Sequence, residues 1–121
     1  MAYDSLLNRI VLVGGFNSSA FLTDTWTWDG TNWLTAGQVR AAPYGPGAMA
    51  FDASRNRMVV YNMNYTFQWD GMNWDQRSPA NSPPSVTGGA AMAFDSARQR
   101  VVLFGGEASS GVLGETWEFG P

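Results

Sequence analysis

Three residue types are missing from this chain of 121 residues: cysteine, histidine and lysine. Without cysteine there can be no disulfides, thiolate nucleophiles, zinc knuckles or iron–sulfur ligands. Without histidine the commonest metal ligand and general base is gone. Neither a metal site nor a cofactor is expected, and no residue is nominated as catalytic. The seven basic residues are all arginine, set against ten acidic ones for a net charge of −3. So few cations on an acidic background do not build a duplex-binding surface, so no nucleic-acid partner is expected. No apolar run approaches the ~20 residues of a membrane-crossing helix, and the first residues lack a charged-then-apolar signal pattern. What the chain does have is apolar mass, 45 % hydrophobic and 14 % aromatic. That is enough for one ordinary core and too much for a disordered chain.

The apolar residues fall into a repeat. Met1-Ala2-Tyr3-Asp4 returns as Met49-Ala50-Phe51-Asp52 and as Met92-Ala93-Phe94-Asp95. Each copy is followed by an arginine and an apolar run: Arg9 with Ile10–Val13, Arg57 with Met58–Tyr61, and Arg100 with Val101–Phe104. Two runs end in a glycine pair, Gly14-Gly15 and Gly105-Gly106, where the middle unit has Asn62-Met63. An alternating aromatic stretch follows, around Trp26 and Trp28, around Phe67 and Trp69, and around Trp117 and Phe119. The first two units continue through Asp29-Gly30 and Asp70-Gly71 to Trp33 and Trp74. Period-two alternation, β-branched runs and Asp-Gly turns predict short antiparallel strands, with no helical period anywhere. Pro-rich stretches at 41–46 and 78–84 read as connectors between units, because proline cannot donate to a ladder. The expected fold is all-β, in units spanning 1–46, 47–88 and 89–121.

This strand–strand–Gly-Gly–loop–aromatic strand–turn–Trp unit resembles the kelch repeat, one four-stranded blade of a β-propeller. The wording Asp24-Thr25-Trp26-Thr27-Trp28-Asp29-Gly30-Thr31-Asn32-Trp33 is similar to kelch-like repeats of bacterial proteins, and the likeness runs along essentially the whole chain. The resemblance implies four strands in each of the first two units. The third stops before its outer strand, for eleven in all. Three blades do not close a ring, and open blade faces forfeit burial worth roughly 25 cal/mol per Å². Met1 coincides with the repeat's own methionine. The expectation is therefore a homodimer whose two three-blade halves complete a six-bladed propeller. An arc cut from a longer parent is the other reading.

The individual motifs read mainly as architecture. Asp4, Asp52 and Asp95 are expected to close the turns through backbone N–H groups, with Arg9, Arg57 and Arg100 pairing nearby across each hairpin. Gly14, Gly15, Gly105 and Gly106 are expected where chain packs too closely for a Cβ. Trp26, Trp33, Trp69, Trp74 and Trp117 recur at matching positions and are expected to pack one blade on the next. Ser18-Ser19 and Ser109-Ser110 have no histidine to activate them, and Asp24 and Glu115 share a repeat position that Tyr65 fills in the middle unit, so no acid–base pair is visible. Ligand recognition is left to loops at the propeller mouth, with Phe21, Arg40, Tyr44, Arg77, Asn81 and Val112 as candidates. The leading expectation is a non-catalytic scaffold that binds itself and presents loops to a protein or sugar. A carbohydrate-binding module that stacks sugars on tryptophan is the second reading, and a piece of a larger kelch-containing enzyme the third. An acidic, Ser/Asn-rich surface favours an extracytoplasmic home over a cytoplasmic one.

Overall fold

Alternating apolar and polar positions, punctuated by Asp-Gly and Asp-x-x-x turns, fold into twelve short strands in a computed structural model that describes residues 1–36, 43, 45 and 47–120. The first sheet takes β1 (Ala2–Asp4), β2 (Arg9–Val13), β3 (Thr25–Trp28) and β4 (Trp33–Thr35) in that order. The second repeats the order with β5 (Ala48–Asp52), β6 (Arg57–Asn62), β7 (Tyr65–Trp69) and β8 (Trp74–Arg77). In the third, β10 (Arg100–Ala108) lies between β9 (Gly88–Asp95) and β12 (Thr116–Phe119). Its remaining strand, β11 (Gly111–Val112), folds back on Glu107 and Ala108 beyond the end of β12. That two-residue strand is the one element the repeat does not predict. All pairings are antiparallel, and there is no helix among the described residues. β1 lies beside β5 and β5 beside β9, so the first strands of successive sheets adjoin. Three such sheets are compatible with propeller blades.

The turn that opens each unit is built the same way three times. Asp4 Oδ1 accepts from the N–H groups of Leu6 and Leu7 at 2.9 and 3.0 Å. Asp52 does so from Ser54 and Arg55, and Asp95 from Ala97 and Arg98. Asn8, Asn56 and Gln99 close these turns in the left-handed region, at φ 53°, 52° and 56°. The arginine pairing expected across the hairpin is corrected by the structure. Asp52 pairs with Arg55 and Asp95 with Arg98, each three residues on. A carboxylate turned inward to cap its own turn faces residue i+3, not its cross-strand neighbour. Arg57 instead donates to the carbonyls of Arg55 and Asn56, and Arg100 approaches Glu118 at 3.6 Å.

Strand alternation gives every sheet two unlike faces. In the second sheet one face is bulky, carrying Met58, Val60, Phe67, Trp69 and Trp74, and packs on Val11, Val13 and Ala2 of the first sheet. The opposite face is flatter, with Ala48, Ala50, Val59 and Tyr61, and receives Met92, Phe94, Val101, Leu103, Trp117 and Phe119 of the third. Both interfaces thus set the bulky face of one sheet on the flat face of the sheet before it. Trp74 Nε1 fastens the first by donating to the buried Thr25 Oγ1 at 2.9 Å. The Arg55 guanidinium fastens the second, 4.9 Å above the Phe119 ring. Among the described residues only the middle sheet is covered on both sides, and β6 is buried at every position from Met58 to Asn62.

Candidate binding surface

The loops that join second to third strands and one sheet to the next meet at one end of the strands. Gly14 and Gly15 end β2 with positive φ, and Gly15 N donates to Gly45 O at 3.1 Å. Gly45 N in turn reaches Leu22 O, stitching the connector between sheets to the β2–β3 loop. A Cβ on Gly14 would stand 2.5 Å from Gly45 O, so close approach of two backbones fixes this glycine. The third sheet repeats the plan: Thr87 N donates to Glu107 O and Leu113 N to Gly106 O, while Val86 packs against Gly106. In the middle unit Met63 takes the left-handed turn at φ 55° and accepts from Val86 N.

Of the residues nominated as ligand contacts, Phe21 and Val112 are exposed on the loops of the first and third sheets. Phe21 meets Phe16 edge-on at 6.4 Å and rests over Gly45, while Val112 tips β11. Arg77 is exposed at the end of β8, paired with Asp75 at 3.0 Å. Asn81 lies in the connector after β8. Arg40 and Tyr44 lie outside the described residues. The loops therefore share one end of the strands, with Phe21 and Val112 on opposite outer sheets.

Asn81 belongs to a feature the sequence reading missed, a small cleft of about 40 Å³ between the second and third sheets. Tyr61, Thr66, Pro79, Pro83 and Trp117 line it with Asn81. Its floor is set by the Tyr61 hydroxyl, which donates to Pro83 O at 2.8 Å with Pro84 O at 3.1 Å. Burial raises the pKa of that hydroxyl. Thr66 holds the repeat position of Thr25, the residue that receives Trp74 between the first two sheets. Among the described residues no strand pairs with the outer edge of β12, so nothing equivalent to Trp74 stands before Thr66. The absent third Asp-Gly-x-Asn-Trp was the sequence signal for this gap. A polar groove adjoins the cleft, lined by Arg55, Arg57, Gln68, Asp70, Asp75 and Arg77.

Apart from Asp75, which pairs with Arg77, the carboxylates around the groove serve turns. Backbone N–H groups of Asn73 and Met72 hold Asp70 below the ordinary carboxylate range, as those of Asn32 and Thr31 do for Asp29. Burial pushes Asp52 up, but the Ser54 hydroxyl and Arg55 outweigh it and the net direction is down. Among the described residues no three acidic side chains gather as a metal would need.

Apolar side chains are also open on the outer faces of the end sheets. Tyr3 and Trp33 stand open on the first sheet, at 54 % and 43 % exposure, beside half-buried Ile10, Leu12, Trp26 and Trp28. Phe104 stands open on the far side of the third sheet at 53 %, beside Ala91, Ala93, Val102 and Thr116. No protein-family model matches the sequence, and no curated protein matches it.

Proposed function

We propose that this chain is a non-catalytic, kelch-type partial propeller whose function rests on self-association: two copies close a ring of six sheets and present their loops for recognition. The observation that carries this reading is the contrast between sheets. The middle sheet buries both faces, while each outer sheet leaves one apolar face open. The chain exposes 7185 Å², against about 6,400 Å² for a compact monomer of its mass. Open apolar sheet faces are where partners dock.

The geometry of the open tryptophans favours packing over sugar stacking. Trp28 and Trp33 lie 5.5 Å apart at 49°, and the pair at the same repeat positions, Trp69 and Trp74, lies 5.3 Å apart at 43°. The second pair is core, with exposures of 2 % and 4 %. The open pair thus already has the shape of a pair covered by a neighbouring sheet.

Light scattering across a dilution series tests the reading. The expected species has twice the chain mass of 13.2 kDa and persists to low micromolar concentration. A soluble, folded monomer at every concentration overturns it, and a continuum of large species overturns the closed ring in favour of open-edge aggregation.

A further inference from the structure

The two open faces are of opposite kinds. The first sheet leaves its bulky face uncovered, and the third leaves its flat face uncovered. Within the chain, bulky meets flat twice, and neither bulky–bulky nor flat–flat contact occurs. Resting on the self-association proposed above, we propose that the open face of the first sheet seats on the open face of the third sheet of a second copy. In that seat Trp33 donates its indole N–H to the partner copy's Thr116, and Arg98 of the partner copy covers Trp28.

Both contacts are read from the internal interfaces by repeat position. Trp74 and Thr25 make the first inside the chain, and Trp33 and Thr116 are their counterparts on the two open faces. Arg55 and Phe119 make the second, and their counterparts are Arg98 and Trp28. Arg98 is held for this by its ion pair with Asp95 at 2.6 Å, with most of its side chain in solvent. Phe104 stands where Tyr61 stands in the middle sheet, with Ala91 in place of Ala48, so the receiving surface keeps its relief. The alternating positions of the bulky face (Tyr3, Ile10, Leu12, Trp26 and Trp28) carry no charge, while the flat face carries Glu118 beside Val102, 3.6 Å from Arg100, where the covered middle sheet has Gln68. A bulky-on-flat contact uses two different patches, so two copies close only by making it twice, head to tail.

The test uses two full-length variants, Tyr3→Arg on the bulky face and Phe104→Arg on the flat one. Both positions are solvent-exposed within the chain, and circular dichroism checks that each variant folds. Each alone is expected to be monomeric, because a buried unpaired charge weakens the pairing by roughly a hundredfold or more. Mixed in equal amounts, they are expected to form a one-to-one complex through the single intact bulky–flat pair. Thr116→Val is expected to raise the dissociation constant of the otherwise unchanged protein about tenfold or more, two indole bonds being lost per ring. If Phe104→Arg alone still dimerises, bulky faces pair with each other and the inference falls. If both variants keep the dimer, the faces are not the interface, and the inference falls while self-association stands. If the unaltered protein is monomeric, both fall together.

Discussion

Trp69 and Trp74 are almost equally buried and stack on each other, yet only Trp74 has an acceptor for its indole N–H. The Trp69 nitrogen is buried with no partner among the described residues. Phenylalanine already occupies the position of Trp69 in the third unit, as Phe119. Trp69→Phe therefore removes an unsatisfied donor along with some packing, and is expected to cost about 1 kcal/mol or less. Trp74→Phe strips a hydrogen bond from a buried threonine and is expected to cost about 2–3 kcal/mol. Urea unfolding of the two variants decides it: equal costs would falsify the account of the Thr25 bond. The glycines give a second contrast. Gly14→Ala forces a Cβ against Gly45 O and is expected to lose about 2 kcal/mol or more. Gly15→Ala meets nothing within 4 Å and carries only the strain of φ +97°, about 1 kcal/mol. Melting temperatures should fall in that order.

At the scale of the element, the first hairpin of every sheet and both Asp-Gly turns are held by a carboxylate that caps its own turn. Asp29, Asp70 and Asp95 all titrate below the ordinary range, chiefly because backbone N–H groups bond the ionised form. A carboxyl depressed in the folded state stabilises fully above its unfolded pKa, about 4, and loses that contribution as pH falls through the lower folded value. The melting temperature is thus expected to be flat from about pH 7 to 5 and to drop below about 4. A profile that instead rises on acidification would contradict the turn mechanism. Strands and turns were legible in the sequence because both are local: Trp33 and Trp74 open their strands, and Asp29-Gly30 and Asp70-Gly71 turn where expected, with Gly30 and Gly71 at positive φ. The ionic partners of Asp52 and Asp95 were not legible, since each has arginines three and five residues on and the side-chain direction decides. The cleft before Thr66 was implicit in the missing third tryptophan, but its lining by Pro79, Asn81 and Pro83 depends on a connector whose path no pattern predicts.

For the whole molecule, burial is set by neighbours. Ile10-Val11-Leu12-Val13 and Met58-Val59-Val60-Tyr61 read alike, yet the second run is buried throughout and the first buries only Val11 fully. The difference is that a sheet stands on each side of β6 and on one side of β2. If a second copy supplies the missing neighbours, stability becomes a function of concentration, because dimer unfolding releases two chains. Each tenfold rise in chain concentration then adds about 0.7 kcal/mol per chain, or roughly 2–4 °C of melting temperature for a chain of this length. Tryptophan emission should move with it. Trp26, Trp28 and Trp33 all lie on the open face of the first sheet, so dilution through the dissociation constant returns half of the chain's six tryptophans toward water. The emission maximum is expected to shift to the red on dilution in the unaltered protein, and to stay red and concentration-independent in Tyr3→Arg. The two observables are coupled. Emission reports cover on one face, and melting reports the free energy that cover contributes, so a second copy that covers the face must move both. An emission shift without a concentration-dependent melting temperature would mean that the face is covered by contacts too weak to belong to a closed ring. A concentration-dependent melting temperature with constant emission would place the interface away from the first sheet altogether.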